Sequence, residues 1–227
     1  MPLAPAHPAA VLPLQRLRLP LSALVVGAVA PDLPVYLPVG VSYATTHSAR
    51  GLPVVVVLGV GMLWVWSALL RDAVVDLTPF LRRRAPARAR LDPRAWLLAP
   101  LAVAIGAATH VLWDSATHDY GFVVHHLTFL GEEYGPLPLY RWAQHTSTVI
   151  GTTVVAAYSW FALRGRPLAP RPAAVRRPAL WWAAVASAAL IAATVLRDVE
   201  AAIGATLVAS VGLAVVWRIT TPHERVG

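Results

Sequence analysis

With 57% hydrophobic and only 13% charged residues among 227, and a mean hydropathy of +0.60, the chain is far more apolar than a soluble domain, where about 25% of residues are charged. The formal net charge of +8 comes from arginine alone, and in a membrane chain the placement of arginines reports orientation, so no nucleic-acid partner is expected. The lack of cysteine excludes disulfides, thiolate metal sites, iron–sulfur clusters and a cysteine nucleophile, leaving His, Asp, Glu and water for any metal.

Residues 1–31 can be read in two ways. Arg16 and Arg18, an apolar stretch, then Ala28-Val29-Ala30 resemble a cleavable leader. However, Pro31 would follow the cut and residues 1–15 are already apolar, which favours an uncleaved segment broken at Pro31-Asp32-Leu33-Pro34. The short apolar runs 8–14 and 19–30 suit a re-entrant hairpin that brings His7 and Asp32 to one side. Residues 51–70 form a clear spanning helix, followed by a loop rich in arginine (Arg82, Arg83, Arg84, Arg88, Arg90) that should be cytoplasmic. A central helix over 95–113 then runs outward, and 146–163 returns to a second basic loop with Arg164, Arg166, Arg171, Arg176 and Arg177. Residues 179–196 and 201–217 make a last pair, rich in Ala, Gly and Ser, with Arg218 and Arg225 inside. The expectation is an all-α polytopic bundle of about five to six spanning helices. Residues 1–165 carry its metal-site domain, and 179–217 form a scaffold of the same bundle.

The central helix ends in His110-Val-Leu-Trp-Asp114-Ser-Ala-Thr-His118, where two ionisable groups sit in a run otherwise nearly free of them. Such groups in a membrane helix call for a function. Four helical residues turn through about 400°, so His110 and Asp114 share a face and can grip one cation. His118 is about 12 Å further along a straight axis. It shares that cation only if the helix ends first, as a left-handed cap at Gly121 would allow, and otherwise holds a second metal.

The arginine pattern puts loops 31–50 and 114–145 on one non-cytoplasmic side, and these loops hold Asp32, His47, Asp114, His118, His125, His126, Glu132, Glu133 and His145, with His110 one turn below. Of the eight histidines, only His7 and His223 lie elsewhere, and His7 joins the group if the hairpin forms. Each candidate also has a plain structural role. His47 leads into a helix, Asp32 between prolines suits a turn, His145 opens a helix, and His125 and His126 flank an apolar interfacial loop. Glu132 and Glu133 are as suited to solvent as to a metal. The candidates exceed the roughly four to six ligands one site needs, so some are bystanders.

The segments His7–Leu14, Ala30-Pro31-Asp32, His47-Ser48, His110–His118, Leu137-Pro-Leu-Tyr140 and Gln144-His145 resemble an uncharacterised bacterial family of integral membrane proteins that is similar to the membrane-bound metal-dependent hydrolases. The order His, Asp, His, His-x-x-x-Asp, His is more distantly similar to the helical zinc-dependent phospholipase C and single-strand nuclease group, which hydrolyses phosphate esters. The resemblance implies His7, Asp32, His47, His110, Asp114 and His118 as ligands, while His125, His126 and His145 are weaker candidates from their place on the same side alone. Val149 stands where those enzymes carry the glutamate of a later His-x-x-x-Glu, so a mononuclear or dinuclear site is expected in place of their trinuclear one.

A divalent cation with such ligands, zinc first and manganese or iron as alternatives, makes hydroxide available at neutral pH, and no catalytic residue beyond metal-bound water is assigned. Arg50 and Arg141, on the outer side against the positive-inside trend, suit phosphate recognition. The expected function is hydrolysis of a phosphate ester or lipid-linked substrate at the outer face of the cell membrane. The alternative is a non-enzymatic metal-handling or transport protein. Single cysteines placed at Ser115 and Tyr134 should react with a membrane-impermeant maleimide from outside intact cells; labelling only from the cytoplasm would overturn the one-sided arrangement.

Overall fold

The computed structural model describes residues 4–85, 90–168, 178–196 and 198–220. Arg88, Arg171, Arg176, Arg177, Arg197, His223 and Arg225 lie outside the described residues. The fold is helical: α1 (Pro8–Val11), α2 (Leu21–Gly27), α3 (Leu33–Tyr36), α4 (Tyr43–Thr46), α5 (Leu52–Val65), α6 (Arg71–Leu77), α7 (Pro79–Arg84), α8 (Pro93–Thr117), α9 (Phe122–His126), α10 (Leu139–Arg164), α11 (Pro178–Leu196) and α12 (Val199–Thr220). A two-stranded antiparallel ribbon, β1 (Glu133–Tyr134) and β2 (Leu137–Pro138), precedes α10. Five helical stretches are long and apolar enough to cross a membrane: Ala49–Leu77, Pro93–Thr117, Leu139–Arg164, Pro178–Val195 and Val199–Thr220.

The helices outrun their apolar cores. The expected 51–70 helix continues through a π-helical turn, Trp66–Leu70, into α6, so the start of the arginine-rich loop is helical. The side chain of Asp92 accepts from the Ala95 amide at 2.7 Å and Pro93 takes the first helical position, which starts α8 before its apolar run. That helix then continues to Thr117, placing Asp114 inside it. Its end is not a left-handed glycine cap. His118 turns extended (φ −129°, ψ 147°), while Gly121 has φ −73° and lies so close to the Ser115 carbonyl that a Cβ would collide with it. The glycine is needed for close approach and not for its handedness.

Two compact units divide the described chain. One comprises described residues within 1–34, 39–63 and 92–160. Here the short helices of the N-terminal segment pack together, and α2 lies along α8. Gly27 meets the Val103 backbone, and Gly106 meets Leu24 and Ala28, so neither leaves room for a Cβ. Small residues allow this approach where no hydrophobic effect drives helices together in lipid. Ala30, Val55 and Ala107 form a buried cluster beside it.

The other unit comprises described residues within 35–38, 64–91 and 161–227. In it α11 and α12 pair, and Ala73, Leu77, Ala214 and Trp217 form a core. The Trp217 indole donates to Asp76 at 3.0 Å, and Asp72 pairs with Arg71 at 2.5 Å.

Gly106→Ala should force α2 off α8 and destabilise the protein by about 1–3 kcal/mol, the usual cost of overpacking. Gly61→Ala, where nothing lies within 4 Å of the added carbon, should be neutral or slightly stabilising. Thermal unfolding of both variants in detergent checks this.

Candidate metal centre

The groups of the centre come from three stretches of the first unit. Asp32 follows Ala30-Pro31 in a single 3-10 turn, His47 caps α4, and His110 and Asp114 stand one turn apart on α8. All but His47 are buried, and His110 is fully so. One donor atom from each of the four lies within 4.8 Å of the other three.

Backbone carbonyls set the orientation of both imidazoles. A carbonyl only accepts, so His110 Nδ1 donates to Ala28 O at 2.8 Å and His47 Nδ1 to Tyr43 O at 3.1 Å. This leaves Nε2 of each ring as an acceptor. Those two nitrogens face each other at 3.2 Å. Thr46, fully buried, donates its hydroxyl to Pro31 O at 2.7 Å and so ties the turn before His47 to the turn carrying Asp32.

The carboxylates close the set. Asp114 Oδ2 is 3.3 Å from His110 Nε2 and 3.6 Å from His47 Nε2, while Asp32 Oδ1 is 3.5 Å and 3.6 Å from the same two nitrogens. Donors held about 2.0–2.1 Å from a tetrahedral ion stand roughly 3.3–3.4 Å apart. The observed separations match that spacing and are too long for good hydrogen bonds between the same groups. Asp32 Oδ1 and Asp114 Oδ1 are buried without a hydrogen-bond partner. The donor set therefore fits a divalent cation.

Two more histidines flank it. His7 stacks on His110 with ring centroids 3.8 Å apart, and its Nε2, 3.6 Å from Asp114 Oδ1, is buried and unpartnered. Burial first, then the neighbouring His110, lowers the His7 imidazole to about 4, so it keeps a free lone pair at neutral pH. His118 Nδ1 donates to the Asp114 carbonyl at 3.2 Å and lies 3.6 Å from Asp114 Oδ1. The amide of Gln144, buried on α10, reaches its other nitrogen at 3.1 Å. Asp114 thus turns one oxygen to His47 and His110 and the other to His7 and His118.

A tyrosine pair lies across the cluster. Tyr43 stacks on His47 and Tyr120 on His118, and their hydroxyls share a 2.7 Å hydrogen bond. Burial, chiefly, raises both phenols, Tyr120 to about 12, so both stay protonated at neutral pH. His125, His126 and His145 are solvent- or lipid-exposed and stand apart from the four-residue group, as do Glu132 and Glu133. Arg50 and Arg141 are exposed as well. Nothing in the sequence marks Thr46, Tyr43 or Tyr120 for this site, and Gln144 stands only within the Gln144-His145 pair that carries the resemblance. The one available signal was a lone amide in a spanning helix.

Residues 1–222 match a family described as a domain of unknown function (DUF4184). The chain belongs to the DUF4184 family. The match takes in the last helix pair as well as the stretch of 1–165 on which the sequence resemblance rests. No curated protein and no solved structure matches this DUF4184 chain.

The purified protein, prepared without chelator, should carry a stoichiometric divalent metal, and Asp114→Ala should reduce its content sharply because Asp114 touches four imidazoles. Elemental analysis of wild type and variant checks this, with circular dichroism to confirm retained helix.

Proposed function

We propose that the protein is a membrane-bound metal-dependent hydrolase acting on a phosphate ester or lipid-linked substrate at the outer membrane face. The observation that carries this reading is the convergence of Asp32, His47, His110 and Asp114 at ligand spacing inside an apolar bundle. A divalent cation held there supplies a Lewis acid and brings the pKa of coordinated water towards ~7. Zinc suits two imidazoles and two carboxylates, and manganese or iron(II) suits them if higher coordination is used.

The chain's own residues do the rest. Ala28 and Tyr43 hold the two imidazoles in the tautomer that offers Nε2, as metal-bound histidines generally require. Asp32 and Asp114 offset the charge of a dication. Of Tyr43 and Tyr120, protonated beside the cluster, one hydroxyl donates to the other, which leaves the second hydroxyl proton for a substrate oxygen. Arg50 and Arg141 have no carboxylate partner among the described residues, which leaves them available to an anionic group. Asp72 and Asp76, the acidic groups that a transport path would recruit, are already engaged with Arg71 and Trp217.

Reconstituted with zinc or manganese, the protein should hydrolyse phosphate mono- or diesters in a chelator-sensitive way. Asp114→Ala should abolish turnover. Arg141→Lys should lower kcat/KM with metal content unchanged, because an ammonium keeps charge but loses the bidentate fork. Full metal occupancy without hydrolysis of any phosphoester would favour metal handling, and equal turnover in Asp114→Ala would remove this site as the catalyst.

A further inference from the structure

Beside the metal cluster lies a second feature that the hydrolytic chemistry does not use. A cavity of about 390 Å³ opens between α1, the end of α8 and the first half of α10. Its walls include His7, Ala10, Trp113, Ala143, Ile150 and Val154. The volume falls in the range of small-molecule sites. Its walls are built of small residues, Ala6, Ala9 and Ala10 on one side and Ala143 and Gly151 on the other, and they close on each other where Gly151 meets Ala6.

Three observations define what fits. First, the lining is almost wholly apolar, and Ser147, one of its few polar residues, has its hydroxyl committed to Gln144 O at 3.0 Å. An apolar cavity of this kind stays dry and takes apolar guests. Second, its lining follows α10 from Ala143 to Val154, about 16 Å along the axis, the dimension of a chain and not of a compact headgroup. Ile150 and Val154 are 57% and 42% exposed, on a spanning helix whose outer surface faces bilayer, so the cavity is open to the membrane interior. Third, the imidazole in its wall is His7, whose orphaned Nε2 lies 3.6 Å from Asp114. The wall of an apolar cavity therefore includes an imidazole that borders Asp114, a member of the candidate metal group.

We propose that this cavity holds the hydrocarbon chain of a membrane lipid that enters sideways from the bilayer, placing its ester group at the Asp32–His47–His110–Asp114 cluster. The proposal rests on the hydrolase reading above and narrows its substrate to a lipid. His7 marks the boundary between chain and headgroup. Ala10 and Ala143, on opposite walls, set the space available to the chain.

The test uses the full-length, metal-loaded protein in phosphatidylcholine vesicles doped with a phosphatidylcholine carrying a diazirine in one acyl chain. On irradiation, cross-links should concentrate on peptides containing Trp113 and residues 143–154. Ala143→Phe and Ala10→Phe, which fill the cavity from opposite sides, should each reduce these cross-links roughly tenfold, the cost of losing the burial of about two methylene groups. Metal content equal to wild type would show that both variants are folded. Cross-links spread evenly over the exposed faces of α10, α11 and α12, and unchanged in both variants, would overturn the proposal. Cross-linking requires no turnover, so its outcome separates from that of the hydrolase reading. Cavity labelling without phosphoester hydrolysis would keep the lipid site and remove the enzyme, whereas hydrolysis of soluble phosphoesters without cavity labelling would do the reverse.

Discussion

Two imidazole nitrogens facing each other at 3.2 Å, both with their protons committed elsewhere, form an arrangement that repels itself. Add two carboxylates on the same point, inside a helix bundle where an uncompensated charge costs several kcal/mol, and the cluster needs a positive charge at its centre. A single proton on one ring would ease one contact. It would leave His7 Nε2, Asp32 Oδ1 and Asp114 Oδ1 without partners. A dication suits the donors of Asp32, His47, His110 and Asp114 together, with His7 beside Asp114.

Helix packing serves the same end. The close contact of α2 with α8 through Gly27 and Gly106 brings the end of α2 to the level of His110, so that the Ala28 carbonyl can fix the ring. The Thr46 hydroxyl on Pro31 does the corresponding work between the turns that carry Asp32 and His47. The His110 ring is thus held by a carbonyl of another segment and the His47 ring by one of its own helix, so backbone carbonyls orient both imidazoles.

Part of this was legible in the sequence. His110 and Asp114 stood out because i and i+4 on an apolar helix leave little else for them to do, and Asp32 and His47 followed from the side to which the arginines assign their loops. The side to which a loop is assigned carries no information on depth, and His125, His126 and His145, assigned to the same side, are exposed and outside the buried four-residue group. His145 and Gln144 differ by one residue, a rotation of about 100° on a helix. The start of α10 is polar on several faces, so the sequence does not show its phase and does not separate the exposed His145 from the buried Gln144. Helix ends depart from the apolar runs for a related reason: hydropathy follows the bilayer core, while the first turn of α8 is set by the Asp92 cap and that of α10 follows the short ribbon before it.

The four donors also bring together segments far apart in the chain. His47 and His110 are 63 residues apart, and His110 reaches back 82 residues to Ala28. In a secreted domain such distances are bridged by disulfides, and this chain has no cysteine. An ion at the centre would act as a cross-link with a different chemistry, restricting the open chain in the way a disulfide does while remaining reversible and dependent on supply. The integrity of the N-terminal segment would then depend on the metal content of the compartment, and a cell short of that metal would hold a looser and more protease-sensitive form of the same protein.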